Sequence, residues 1–199
     1  MKKQSLLLAS VLLLSTSAVS AVEVAGVDVA DTMTSQEQVL QLNGAGVRSK
    51  FFMDLYVGSL YTVAPTEQAA NVVDGEQISA IRLNITSGMI TSEKMTEAMH
   101  DGFDRATDGD TSAIADSIKS FIATFAEPIK EGDQFTLVSV PGTGIVSYKN
   151  GQQLSVTSGE DFRKAVLAIW LGDNPTDKGL GKVRISPVLA LRVLKVDRC

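Results

Sequence analysis

Apolar residues return at every second position between residues 77 and 86: Ile81, Leu83 and Ile85 face one way, Arg82, Asn84 and Thr86 the other. That period predicts a half-buried strand. From Phe51 to Val63 aromatic and β-branched residues dominate, which predicts a long strand. Phe51, Met53, Leu55, Val57 and Tyr61 share one parity and Phe52, Asp54, Tyr56, Gly58 and Leu60 the other, so apolar groups occupy both faces. Val22 to Val29 predicts a short strand, and Val39 to Leu42 another that ends at Asn43-Gly44-Ala45-Gly46, a turn signal. Pro65-Thr66-Glu67 opens a short helix ending near Asp74-Gly75.

The period then lengthens. Met95, Ala98, Met99, Gly102, Phe103 and Ala106 fall at helical spacing, as do Ile114, Ile118, Phe121, Ile122 and Phe125 before Pro128. Each stripe is the buried face of an amphipathic helix. Strand signals return at Phe135, Leu137 and Ser139 to Pro141. Asn150-Gly151 joins the strands 145–148 and 154–156 as a two-residue hairpin. Ser158 is placed to cap a helix that buries Phe162, Ala165, Val166, Ile169 and Trp170 and ends at Gly172. Ser186-Pro187 predicts one more helix over 188–194. Strands, helices, a hairpin and helices again indicate an α+β fold with one antiparallel sheet covered on one face by helices.

The first residues change the setting. Met1-Lys2-Lys3, an apolar run from Leu6 to Leu14 and small residues ending at Ala21 have the layout of a secretory signal peptide. The run is shorter than the roughly 20 residues a bilayer span needs. Cleavage after Ala21 is expected, giving residues 1–21 as leader and 22–199 as one domain, periplasmic or secreted, with no stable membrane insertion. The chain carries 18 Lys+Arg and 23 Asp+Glu. Loss of Lys2 and Lys3 with the leader takes the net charge from −5 to −7. Such a balance argues against nucleic acid as a partner and against an anionic membrane surface. Cys199 is the single cysteine, so no internal disulfide forms; it either keeps a free thiol, the expected state, or pairs between chains. With one histidine, His100, neither a metal site nor a Ser-His-Asp triad is readily built. His100, Asp101 and Asp104 read as a wet helix face, and Gly142-Thr143-Gly144 as a hairpin rather than a phosphate loop.

Four motifs, in order, resemble the chalcone isomerase-like family: Gly44-Ala45-Gly46-Val47-Arg48; Lys50-Phe51-Phe52 through Gly58 and Tyr61; Thr91-Ser92-Glu93-Lys94-Met95-Thr96-Glu97; and Lys164-Ala165-Val166-Leu167 to Leu171-Gly172. The resemblance implies an open-faced β-sandwich and a cofactor-free protein. The family's cyclising enzymes use an arginine, a threonine, a tyrosine, an asparagine and a late hydroxyl residue. The arginine matches Arg48; the others fall at Leu55, Thr91, Ala98 and near Arg163. Efficient cyclisation is therefore not expected, since each lost group costs about 10²–10³-fold. Non-catalytic relatives bind fatty acids through an arginine and a tyrosine. The resemblance thus implies a carrier of a small hydrophobic carboxylate or aromatic acid. Arg48 is its expected anchor, Tyr56 or Tyr61 a hydroxyl partner, and Leu55, Thr91 and Ala98 its wall. The alternatives are an isomerase of the intramolecular-lyase type acting on an enone, and a structural or interaction protein of the envelope.

Overall fold

In the computed structural model, residues 21–50, 52–173 and 175 are described. The leader, the helix expected at 188–194 and Cys199 lie outside the described residues. The elements run β1 (Ala21–Val24), β2 (Val27–Ala30), β3 (Thr32–Ser35), β4 (Gln38–Lys50), β5 (Met53–Thr62), α1 (Ala69–Val73), β6 (Ser79–Ile85), α2 (Ser92–Ala106), α3 (Ala115–Ile122), β7 (Gln134–Val140), β8 (Gly144–Lys149), β9 (Gln152–Ser158) and α4 (Glu160–Leu171). Short 3-10 turns flank α3.

Strands β3 to β9 form one seven-stranded antiparallel sheet in sequence order. Side chains alternate along the strands except at bulges, so the sheet has two apolar faces. Tyr56, Leu60, Ile81, Leu83, Ile85, Phe135 and Leu137 lie under the helices. There Phe103, Phe121, Phe125 and Phe162 meet with ring centroids 5.3–6.0 Å apart, mostly edge to face. Aromatic pairs favour such offsets, and the large rings fill the space between layers. The stripe predicted for the last described helix is fully buried, and α4 adds Leu167, Leu171 and Arg163 to it. The opposite face holds a smaller core of Leu40, Leu42, Val57, Tyr61, Ala80, Val138 and Val146, joined by Val29 of the β1–β2 hairpin. The single strand expected over 22–29 is in fact this hairpin, turned at Ala25-Gly26, both with positive φ.

Two local readings are corrected. Asn43-Gly44-Ala45-Gly46 is no turn: β4 runs straight through it. Leu42 pairs with Tyr61 and Gly44 with Leu60, so Asn43 is an extra residue, a β-bulge. Its amide binds the backbone N–H and carbonyl of Thr66 at 2.8 and 2.9 Å. A bulge and a turn use the same residues, which is why composition could not separate them. Ser158 also does not cap α4. Gly159, at φ 124°, holds the N-cap position, where no side-chain cap forms. The Asn150-Gly151 hairpin is as expected, with φ of 51° and 81° at the two positions. Pro141-Gly142 turns β7 into β8, closed by Thr143 N–H to Val140 O at 3.0 Å.

Candidate functional site

A second bulge shapes the site. Arg48 pairs with Tyr56 and Ser49 with Asp54, which leaves Leu55 as the extra residue of β5. A bulge breaks the alternation of side chains. Leu55 and Tyr56, neighbours in sequence, therefore both pack toward the helical layer. Arg48, directly across from Tyr56, presents its side chain to the same face.

These residues and the flank of α2 enclose a cavity of about 420 Å³. Its buried lining is Tyr56, Ile90 and Met95, with half-buried Leu55 and Ala98 beside them. Half-buried Arg48 joins exposed Lys50, Lys94 and Arg105 around the rim, together with Glu97 and Asp101. Lys94, Ala98, Asp101 and Arg105 recur at helical spacing, so one side of the cavity follows roughly 16 Å of helix at 1.5 Å per residue. Beneath it the Tyr56 hydroxyl accepts the Trp170 indole N–H at 3.1 Å, with both rings buried. The arrangement offers positive charge over an apolar floor. It suits an anionic head with an apolar tail.

Of the expected site residues, the fold brings Arg48, Tyr56, Leu55 and Ala98 together and leaves two apart. Tyr61 points into the opposite core, where its hydroxyl donates to Ala30 O at 3.0 Å and the Arg82 guanidinium lies 5.3 Å from its ring centre. Burial pushes its phenol above the ordinary value of 10.0, against the lowering influence of Arg82. Odd spacing from Tyr56 puts it there: five positions along a strand reverse the face. Thr91 is the N-cap of α2, its hydroxyl accepting from Lys94 N–H at 3.3 Å. Arg163, at the family's late hydroxyl position, is fully buried and structural. It donates to Ser139 Oγ at 2.9 Å, to the carbonyls of Val73 and Gly75, and to Glu160 at 2.6 Å. His100 and Asp104 are exposed, as expected, but Asp101 lines the rim.

The sequence reading missed Lys50, Met89, Ile90, Lys94, Met95, Glu97 and Arg105 as lining. The signal was present for α2: a stripe at positions 94, 98, 101 and 105 runs beside the apolar stripe already recognised. A larger hollow of about 660 Å³ lies at the other end of β5, around Thr62, Asn71, Gly75 and Ser79. Among the described residues its charged lining is Asp74 and Glu76, so it is a poor place for an anion. Among the described residues no group of three or more His, Cys, Asp or Glu is placed to hold a metal ion. None of their helices is long and apolar enough to cross a membrane.

A chalcone isomerase-like sequence profile matches residues 21–183. The chain belongs to the chalcone isomerase-like family. No curated relative matches it in sequence. Among solved structures it is similar to a fatty-acid binding protein of Arabidopsis thaliana, with a TM-score of 0.61 at 16% identity, over 77% of this chain and 88% of that one. At that identity the likeness establishes the fold, an α+β domain built on a large antiparallel sheet. Within the family, this chain places Leu55 and Ala98, two groups unable to exchange protons, on the wall of its cavity.

Proposed function

We propose that this chalcone isomerase-like chain is an exported, non-catalytic carrier of a small hydrophobic carboxylate such as a fatty acid. The observation that carries the reading is the cavity of about 420 Å³ with Arg48 at its rim and Leu55, Tyr56, Ile90 and Met95 beneath. That volume lies within the roughly 300–1,000 Å³ usual for small-molecule sites. A guanidinium grips a carboxylate in bidentate fashion, while the apolar floor takes the tail. Leu55 and Ala98 supply no acid or base where the family's enzymes use hydroxyl and amide groups. The solved Arabidopsis relative, described as fatty-acid binding, adds support to the choice of ligand. The basic, then apolar, then small-residue leader supports export.

The test is a titration of the purified chain with straight-chain acids, read by melting temperature and by the emission of Trp170, the only tryptophan. Each methylene that enters the cavity contributes about 0.8 kcal/mol, so affinity rises about fourfold per carbon until the cavity is full. Arg48→Gln removes a charged hydrogen bond of about 1.5–3 kcal/mol and lowers affinity about 10–100-fold. The methyl ester of the same acid, tested on the native chain, loses as much. If no acid of any length shifts the melting temperature or Trp170 emission, the carrier reading is wrong.

A further inference from the structure

The larger hollow, at the other end of β5, has two buried hydroxyls in its lining that the fold does not use. Thr62 and Ser79 face each other across β5 and β6, two steps beyond the apolar pair Leu60 and Ile81 and on the same helix-facing side of the sheet. They are 5% and 2% exposed, and both line the hollow of about 660 Å³. Among the described residues neither hydroxyl has a hydrogen-bond partner. A buried hydroxyl left unpaired is destabilising, and valine and alanine would fill the same positions without that loss.

The next strand shows what such a hydroxyl accepts. Ser139 on β7 pairs with Ser79, so Thr62, Ser79 and Ser139 form one row across three strands. The Ser139 hydroxyl takes a guanidinium N–H from Arg163 at 2.9 Å. Charge around the hollow has the same sense. Asp74 and Glu76 stand exposed at its rim, and no lysine or arginine lines it among the described residues. The cations that α4 brings to this region are already paired: Lys164 Nζ lies 3.3 Å from Asp74, and Arg163 2.6 Å from Glu160. Glu76 takes part in no ion pair among the described residues, so its charge is the uncompensated one. An ionised carboxylate only accepts hydrogen bonds, so the complementary ligand supplies donors and positive charge. Ala64, Pro65, Val72 and Ile78 make the rest of the wall apolar.

We propose that this hollow binds a small aliphatic amine with a second donor group, of the diamine or amino-alcohol class. Its polar ends meet the Thr62 and Ser79 hydroxyls on the buried side and Glu76 at the rim, and its methylenes lie against the apolar wall. The volume falls within the roughly 300–1,000 Å³ usual for small-molecule sites. The hollow shares no lining residue with the cavity at Arg48 and has the opposite sense of charge. The site is therefore a second one, and it stands or falls independently of the carrier reading.

The experiment is thermal denaturation of the purified chain with putrescine or ethanolamine, against sodium chloride at matched ionic strength and glycerol at the same concentration. Both amines are expected to raise the melting temperature beyond the salt control, and glycerol is not. Thr62→Val combined with Ser79→Ala removes both buried hydroxyls. That variant holds or raises the melting temperature of the unliganded chain while weakening amine binding about tenfold. Glu76→Gln, at an exposed position, leaves the fold intact and weakens binding about threefold, as expected for a surface ion pair. No rise beyond the salt control overturns the proposal and leaves water as the occupant. An equal rise in either variant also overturns it, since the amine then binds elsewhere on an acidic chain. A rise with glycerol equal to that with the amines overturns the cationic class. Should the double change unfold the chain, Glu76→Gln decides alone.

Discussion

The Tyr56 phenol accepts the Trp170 indole N–H at 3.1 Å, and the two residues are 6% and 0% exposed. Tyr56→Phe keeps the ring and its packing but strands a buried donor, which costs about 1–3 kcal/mol. We expect a correspondingly lower urea midpoint and an altered Trp170 emission maximum in the unliganded protein. An unchanged midpoint would mean the indole finds another acceptor. The same pair marks where residue-level reading succeeds and stops. Parity along β5 correctly separates Tyr56 from Tyr61. It cannot place Leu55, because parity assumes an unbroken strand and Leu55 is the bulge. The bulge depends on how β4 and β5 pair across the sheet, and no local pattern encodes that.

At the scale of elements, Arg163 joins three of them. From α4 it reaches Ser139 on β7 and the carbonyls of Val73 and Gly75 at the end of α1, with Glu160 one turn back. A buried guanidinium with this many acceptors is an anchor, and removing it leaves those acceptors unsatisfied. Glu160 is 45% exposed and can return to water. We therefore expect Arg163→Met to cost about 3 kcal/mol by chemical denaturation, toward the low end of the range for a broken buried pair. A cost near zero would show that methionine packing compensates. The periods of two and 3.6 made the long strands and the amphipathic helices legible. They did not make Arg163 legible, since a charged residue on a helix reads as solvent-facing until its partners are known. The cavity was half-legible for the same reason. Its arginine stood in a motif, but the stripe on α2 acquires meaning only when β4 lies beside it.

Charge acts on the molecule as a whole through groups whose titration differs between folded and unfolded chains. The hydrogen bond from Arg163 holds Glu160 below its ordinary value of 4.5. Burial raises Asp133, but the bonds from Asn150, the Lys130 N–H and Lys149 together outweigh it and leave it below 3.8. Exposed Glu93 and Asp110 are also lowered, through hydrogen bonds from Thr91 and Ser112 respectively. A lowered carboxyl stabilises the fold fully above its unfolded value, because the unfolded chain binds the proton first as pH falls. That stabilisation is lost as pH drops through the folded value. Tyr61 works on the other side. Its raised phenol keeps its proton in the fold when the unfolded chain would release it, so stability declines as pH rises past about 10. The melting temperature should thus be level through neutral pH, fall below about pH 4.5, and fall again above about pH 10. Glu160→Gln separates the contributions: it lowers the melting temperature at pH 7, and the difference from the native chain closes as acid protonates the native carboxylate. A difference that stayed constant down to acid pH would place the effect in packing, because only a loss that depends on ionisation can vanish when the charge does.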